Sequence, residues 1–113
     1  MFTKHINSAA TNNARVIKKP GARLFSLTAF NAGGAAAYVK LYNSGADGAV
    51  PVVGTATPVM VLAVPAAGSA SIALYEGAEF PGGLSLGIVT GAADSDNTAA
   101  AANQVKATLV FGG

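Results

Sequence analysis

From Leu24 to Phe30 the side chains alternate, with Leu24, Ser26, Thr28 and Phe30 on one face and Phe25, Leu27 and Ala29 on the other. A period of two is the mark of a half-buried β-strand. The same period runs through Ala35–Tyr42, which places Ala37, Val39 and Leu41 inward and Tyr38, Lys40 and Tyr42 outward. It recurs in Ser69–Tyr75, in Leu84–Thr90 with Leu84, Leu86 and Ile88 on one face, and in Gln104–Phe111 with Val105, Ala107, Leu109 and Phe111 on one face. Pro20-Gly21, Asn31-Ala-Gly-Gly34, Asn43–Gly48 and Pro81-Gly-Gly83 punctuate these runs as turns. Two further short strands are predicted at Ala14–Lys19 and, limited by Pro51, at Ala49–Val53.

One stretch breaks the alternation. Val59, Met60, Val61, Leu62, Ala63 and Val64 are apolar at every position, so one face is expected to meet the core and the other to need a cover. With Pro65-Ala-Ala-Gly68 as a turn, Thr57–Tyr75 reads as a hairpin at the centre of the domain. About seven or eight short strands with frequent turns predict an all-β fold, a single antiparallel β-sandwich or jelly roll.

Composition sharpens this picture in three ways. In 113 residues only 11% are charged, and there is no Cys and no Trp. A small domain with so little charge presents much neutral surface, which favours self-association. Of its seven bases, Lys4, Arg15, Lys18, Lys19 and Arg23 precede every acid, leaving two bases and all five acids downstream. The first 13 residues are polar apart from Phe2 and Ile6, so residues 1–19 are read as an extended N-terminal arm and 20–113 as the β-sandwich. Arm residues Phe2, Lys4, His5, Ile6, Arg15, Lys18 and Lys19 are the candidate partner-binding set, the cations suiting an acidic groove on a copy or partner. Lysines beside a short edge strand are equally a guard against edge-to-edge pairing. Tyr38, Tyr42, Val59, Val61, Leu62 and Val64 are the candidate oligomer or packing contacts; without Trp nearby, the tyrosine pair is assigned to packing rather than to a sugar platform.

Reaction chemistry has little to draw on. His5, the single His, sits in the arm, and no Cys exists to pair with it, so no enzyme, cofactor or small-molecule substrate is expected. The acids of Glu76-Gly-Ala-Glu79 are read as a solvated turn. Asp94-x-Asp96-x-Thr98 imitates the start of a calcium loop but has Ala99 where the loop needs Gly and Val105 where it needs a bidentate Glu. The segment is read instead as an Asp-capped turn through Ala99–Ala102. No secretory signal is recognisable, and Pro51, Pro58 and Pro65 interrupt the uncharged stretch from Gly48 to Tyr75, so neither export nor a membrane span is expected.

The strand Tyr38-Val-Lys-Leu-Tyr-Asn43, then Thr57-Pro-Val-Met-Val-Leu-Ala-Val-Pro65 with Gly68-Ser-Ala-Ser-Ile72, then Leu86-Gly-Ile-Val-Thr-Gly91 with Asp94, Asp96 and Thr98 resemble small structural proteins of tailed bacteriophages. The likeness spans roughly residues 22–111 and lies in strands and turns, with no site residues to carry over. It implies a virion component made in a bacterial host's cytoplasm. Its most concrete form is a capsid cement or decoration protein that binds the major capsid protein and self-associates, a homotrimer being favoured, with nucleic acid not expected as a partner. A tail, fibre or glycan-binding attachment module is the alternative that it implies.

Overall fold

A computed structural model describes residues 1–113 as eight strands: β1 (Phe2–Asn7), β2 (Arg15–Lys18), β3 (Ala22–Asn31), β4 (Ala37–Asn43), β5 (Met60–Val64), β6 (Gly68–Phe80), β7 (Leu84–Val89) and β8 (Val105–Gly112). They form two four-stranded antiparallel sheets, ordered β1-β8-β3-β6 (sheet A) and β2-β7-β4-β5 (sheet B). The first strand pairs with the last, the second with the seventh, the third with the sixth and the fourth with the fifth. That is one long hairpin wound into two layers, the jelly roll among the two architectures that the alternation allowed.

The inward faces make the core. Leu24, Leu27, Ala29, Ala107 and Leu109 from sheet A meet Ala37, Val39, Leu41, Leu86 and Ile88 from sheet B, all buried. On β3 the predicted phase holds only from Ser26 onward. Leu24 pairs with Ala78 and Ser26 with Ala73, so Phe25 alone opposes Leu74–Gly77. This bulge shifts the alternation, and Leu24 turns inward with Leu27 and Ala29. The bulge needs Gly77, which has φ +80°; a Cβ there would also run into the Arg23 side chain.

Further expectations change. Thr57–Tyr75 is not a hairpin: β5 pairs with β4 in sheet B and β6 with β3 in sheet A, so Pro65–Ala67 carries the chain across a corner between the layers. Local periodicity describes each strand but says nothing about its partner. Ala49–Val53 is not an edge strand but part of a loop that begins with a single 3-10 turn at Ala46–Gly48. Ala99–Ala102 forms no helical turn; Ala99 bridges Val89 and Ala100 is buried in the core, since apolar burial outweighs the helix propensity of so short an alanine run.

Residues 1–19 are not separate from the body. β1 pairs along its whole length with β8, from Phe2 opposite Phe111 to Asn7 opposite Lys106. β2 pairs with β7 with a register shift between Val16 and Lys18. Ile6 enters the core, and the Ser8 hydroxyl, buried, donates to the Ala101 carbonyl (2.7 Å) and accepts from the Val105 amide (3.0 Å). A polar composition conceals this docking, because an edge strand draws its stability from backbone pairing as well as from its side chains.

Candidate interaction surfaces

The two outer faces of the sandwich differ. On sheet A the outward residues lie at the surface, and one rung runs His5, Thr108, Thr28, Ser71 across all four strands. Thr3, Ser26 and Ser69 extend this hydroxyl-rich face. His5 uses Nδ1 to bond the Thr108 hydroxyl at 2.9 Å.

On sheet B the outward residues of β4 are covered by the chain's own loops. Lys40 is 0% exposed, and its ammonium donates to the backbone carbonyls of Ala93 (2.6 Å) and Asp96 (3.0 Å). Tyr42 is 1% exposed and packs with Val53 and Val89, while Tyr38 is half-buried against the same cluster. Val53 reaches the sheet because Gly87 lies beneath it; a Cβ there would stand 2.7 Å from Val53 Cγ2. The Tyr42 hydroxyl has no hydrogen-bond partner. Burial first, and the Asp94 carboxylate second, hold its phenol above the ordinary value of 10.0. The Asp96 carboxylate accepts from the Thr98 amide (2.8 Å) and hydroxyl (3.3 Å), closing the covering loop on itself.

The narrow sides of the sandwich carry the remaining candidates. β5 lies beside β6 at one corner, which leaves β1 and β2 together on the opposite side. On β5, Leu62 packs against the core and Val64 lies in it, whereas Val61 is 41% exposed and Val59, just before the strand, 57%. The doubly apolar stretch thus has one covered face and one open face. On the other side, Phe2 is 59% exposed with its ring centroid 5.8 Å from that of Phe111, and Lys4 and Lys19 are exposed. Lys4, Arg15, Lys18 and Lys19 have no carboxylate partner, because the chain's one ion pair joins Arg23 to Glu79. Composition does not single out Tyr75; it is fully exposed at the bulge of β6. Only the four-against-one pairing of β6 with β3, invisible in the sequence, lifts it there. A shallow cleft of about 640 Å³ lies between the turns at 32–35 and 101–104. It is lined mostly by glycine and alanine and brings no set of charged groups together.

No protein-family model matches this chain, and no curated protein matches it. Among solved structures it is similar to the coat protein of Tobacco streak virus, at 10% identity and a TM-score of 0.40, over 96% of this chain and 84% of that one. The assignment to the jelly-roll class rests on the strand pairing.

Proposed function

We propose that this protein is a non-enzymatic structural component of a virion, a capsid cement protein that lies on the shell of the major capsid protein and stabilises it. The observation that carries the reading is the asymmetry of the two outer faces. Sheet B uses its polar groups to hold its own cover, whereas sheet A presents a weakly charged, hydroxyl-rich face across four hydrogen-bonded strands, with Phe30 exposed on it. A rigid face of that kind suits a broad, low-relief contact repeated over a lattice, where many modest interfaces sum. Eight-stranded jelly rolls are a recurrent architecture of capsid domains; that support is an analogy of fold and not of site.

Binding to particles of the encoding virus assembled without the protein tests the reading. The intact protein is expected to co-sediment with such particles and to raise their resistance to heat. Thr28→Arg, at the middle of the bare face, is expected to keep the fold and lose that binding. Undiminished binding by Thr28→Arg removes sheet A from the contact, and an electron cryo-microscopy map with the chain at the tail or fibre replaces the cement role with the attachment role. The tyrosine pair offers no glycan platform in either case, because Tyr42 is buried within the chain.

A further inference from the structure

The rungs of sheet A set two features of opposite character at the same height on opposite edges. Phe2 on β1 is level with Phe111, Leu24 and, on β6, Ala78; Thr3 is level with Val110, Ser26 and Ala73. The bulge Leu74–Gly77 falls between these two rungs, directly across the sheet from Phe2, Thr3 and the start of the cationic side. At its tip stand Tyr75, fully exposed, and Glu76, exposed and without an ion-pair partner. The bulge is held in shape. Arg23 Nη1 donates to the Glu76 carbonyl at 2.7 Å, Arg23 Nη2 pairs with Glu79, and Gly77 takes the left-handed backbone that closes the loop. An exposed tyrosine on a preformed support loses little conformational entropy on docking, and Tyr is among the residues that dominate interfaces.

We infer that the Tyr75–Glu76 bulge of one copy docks on the β1 edge of a second copy, with Tyr75 against Phe2 and Glu76 facing Lys4. Charge complementarity selects a copy of the chain as the occupant. Four cations without internal partners line the β1/β2 side, while the β5/β6 side offers the free acid and the apolar Val59 and Val61. Two β1/β2 sides facing each other would bring eight cations together, so a two-fold contact there is repulsive. The contact is therefore heterologous, one side of each copy on the other side of the next. Because the two features share a height, successive copies are related mainly by rotation, the condition for a ring rather than a climbing filament.

Sedimentation equilibrium of the full chain tests it, with circular dichroism and thermal unfolding run alongside. The wild type is expected to self-associate. Tyr75→Ala, Glu76→Lys and Lys4→Glu are each expected to weaken association by about tenfold or more without moving the unfolding midpoint. Lys4→Glu combined with Glu76→Lys is expected to regain most of the loss, because the pair is restored with its charges exchanged. A wild type that stays monomeric at about 100 μM overturns the contact, as that bounds its free energy to a weak encounter. So does an oligomer indifferent to all three substitutions, or a double exchange as weak as the single ones. An oligomer that behaves as expected but fails to bind particles leaves this contact standing and removes the cement role; particle binding by an obligate monomer does the reverse.

Discussion

β3 and β4 carry the same alternation, yet their outward residues meet opposite fates. Thr28 and Phe30 on β3 face solvent, whereas Lys40 and Tyr42 on β4 are sealed. The difference lies in the loops. After β3 the chain turns within Ala32–Gly34 and leaves the face bare; after β4 a long loop returns across sheet B, and a second loop between β7 and β8 descends on Lys40. An outward position on a strand is thus only outside its sheet, and whether it is outside the protein depends on loops from elsewhere. Lysine suits such a position because its stem packs and its ammonium supplies a donor for the Asp96 carbonyl, which the covering loop would otherwise leave unpaired.

Substitutions sharpen that contrast, and the largest effect is expected where inward and outward positions are neighbours. Leu62→Asp, which sets a carboxylate against the core, is expected to cost about 4 kcal/mol in urea unfolding. Val61→Asp, on the open face of the same strand, is expected to cost less than about 1 kcal/mol. Equal costs would mean that β5 is covered on both faces.

Lys40→Ala is next, at about 3 kcal/mol, because it leaves the Asp96 carbonyl without a donor and the Ala93 carbonyl with only the Asp96 amide, and opens a cavity under the loop. Faster amide exchange at residues 91–98, measured by mass spectrometry, is expected to accompany it. If Lys40→Ala costs no more than Thr28→Ala, the distinction between the two outer faces fails.

Tyr42→Phe is expected to be neutral or to stabilise by up to about 1 kcal/mol, since it removes a buried hydroxyl that has no partner. It also tests the phenol's raised pKa. The folded protein holds the Tyr42 proton more tightly than the unfolded chain does. That contribution to stability is therefore complete below about pH 10 and lost as pH rises through the folded value. The Phe variant lacks this loss, so its advantage over the wild type grows in alkali. The smallest effect is expected at Thr28→Ala, within about 0.5 kcal/mol, as befits a solvated sheet face.

The core strands could be read from side-chain order, because a strand with one buried face must alternate whatever its partner. Val39, Leu41, Leu86, Ile88, Ala107 and Leu109 were legible for that reason and are buried. β1 was not legible: Phe2–Asn7 sends only Ile6 into the core, and its remaining stability comes from backbone bonds to β8, at the far end of the chain. Of the surfaces, the unpartnered cations and the apolar stretch around Val61 could be found in the sequence, whereas Tyr75 could not, since its prominence comes from a bulge defined by two strands at once.

By itself the sequence determined an all-β chain, the positions of most strands and turns, and which side chains are inward on most of them. Those are consequences of local stereochemistry and of the cost of leaving apolar groups in water. Tertiary structure alone decided that β1 pairs with β8, that β5 and β6 part into different sheets, and that one outer face is sealed while the other stays bare. Backbone hydrogen bonds between distant strands are blind to side-chain identity, so their partners are chosen by how the whole chain can pair every strand and bury every inward face together.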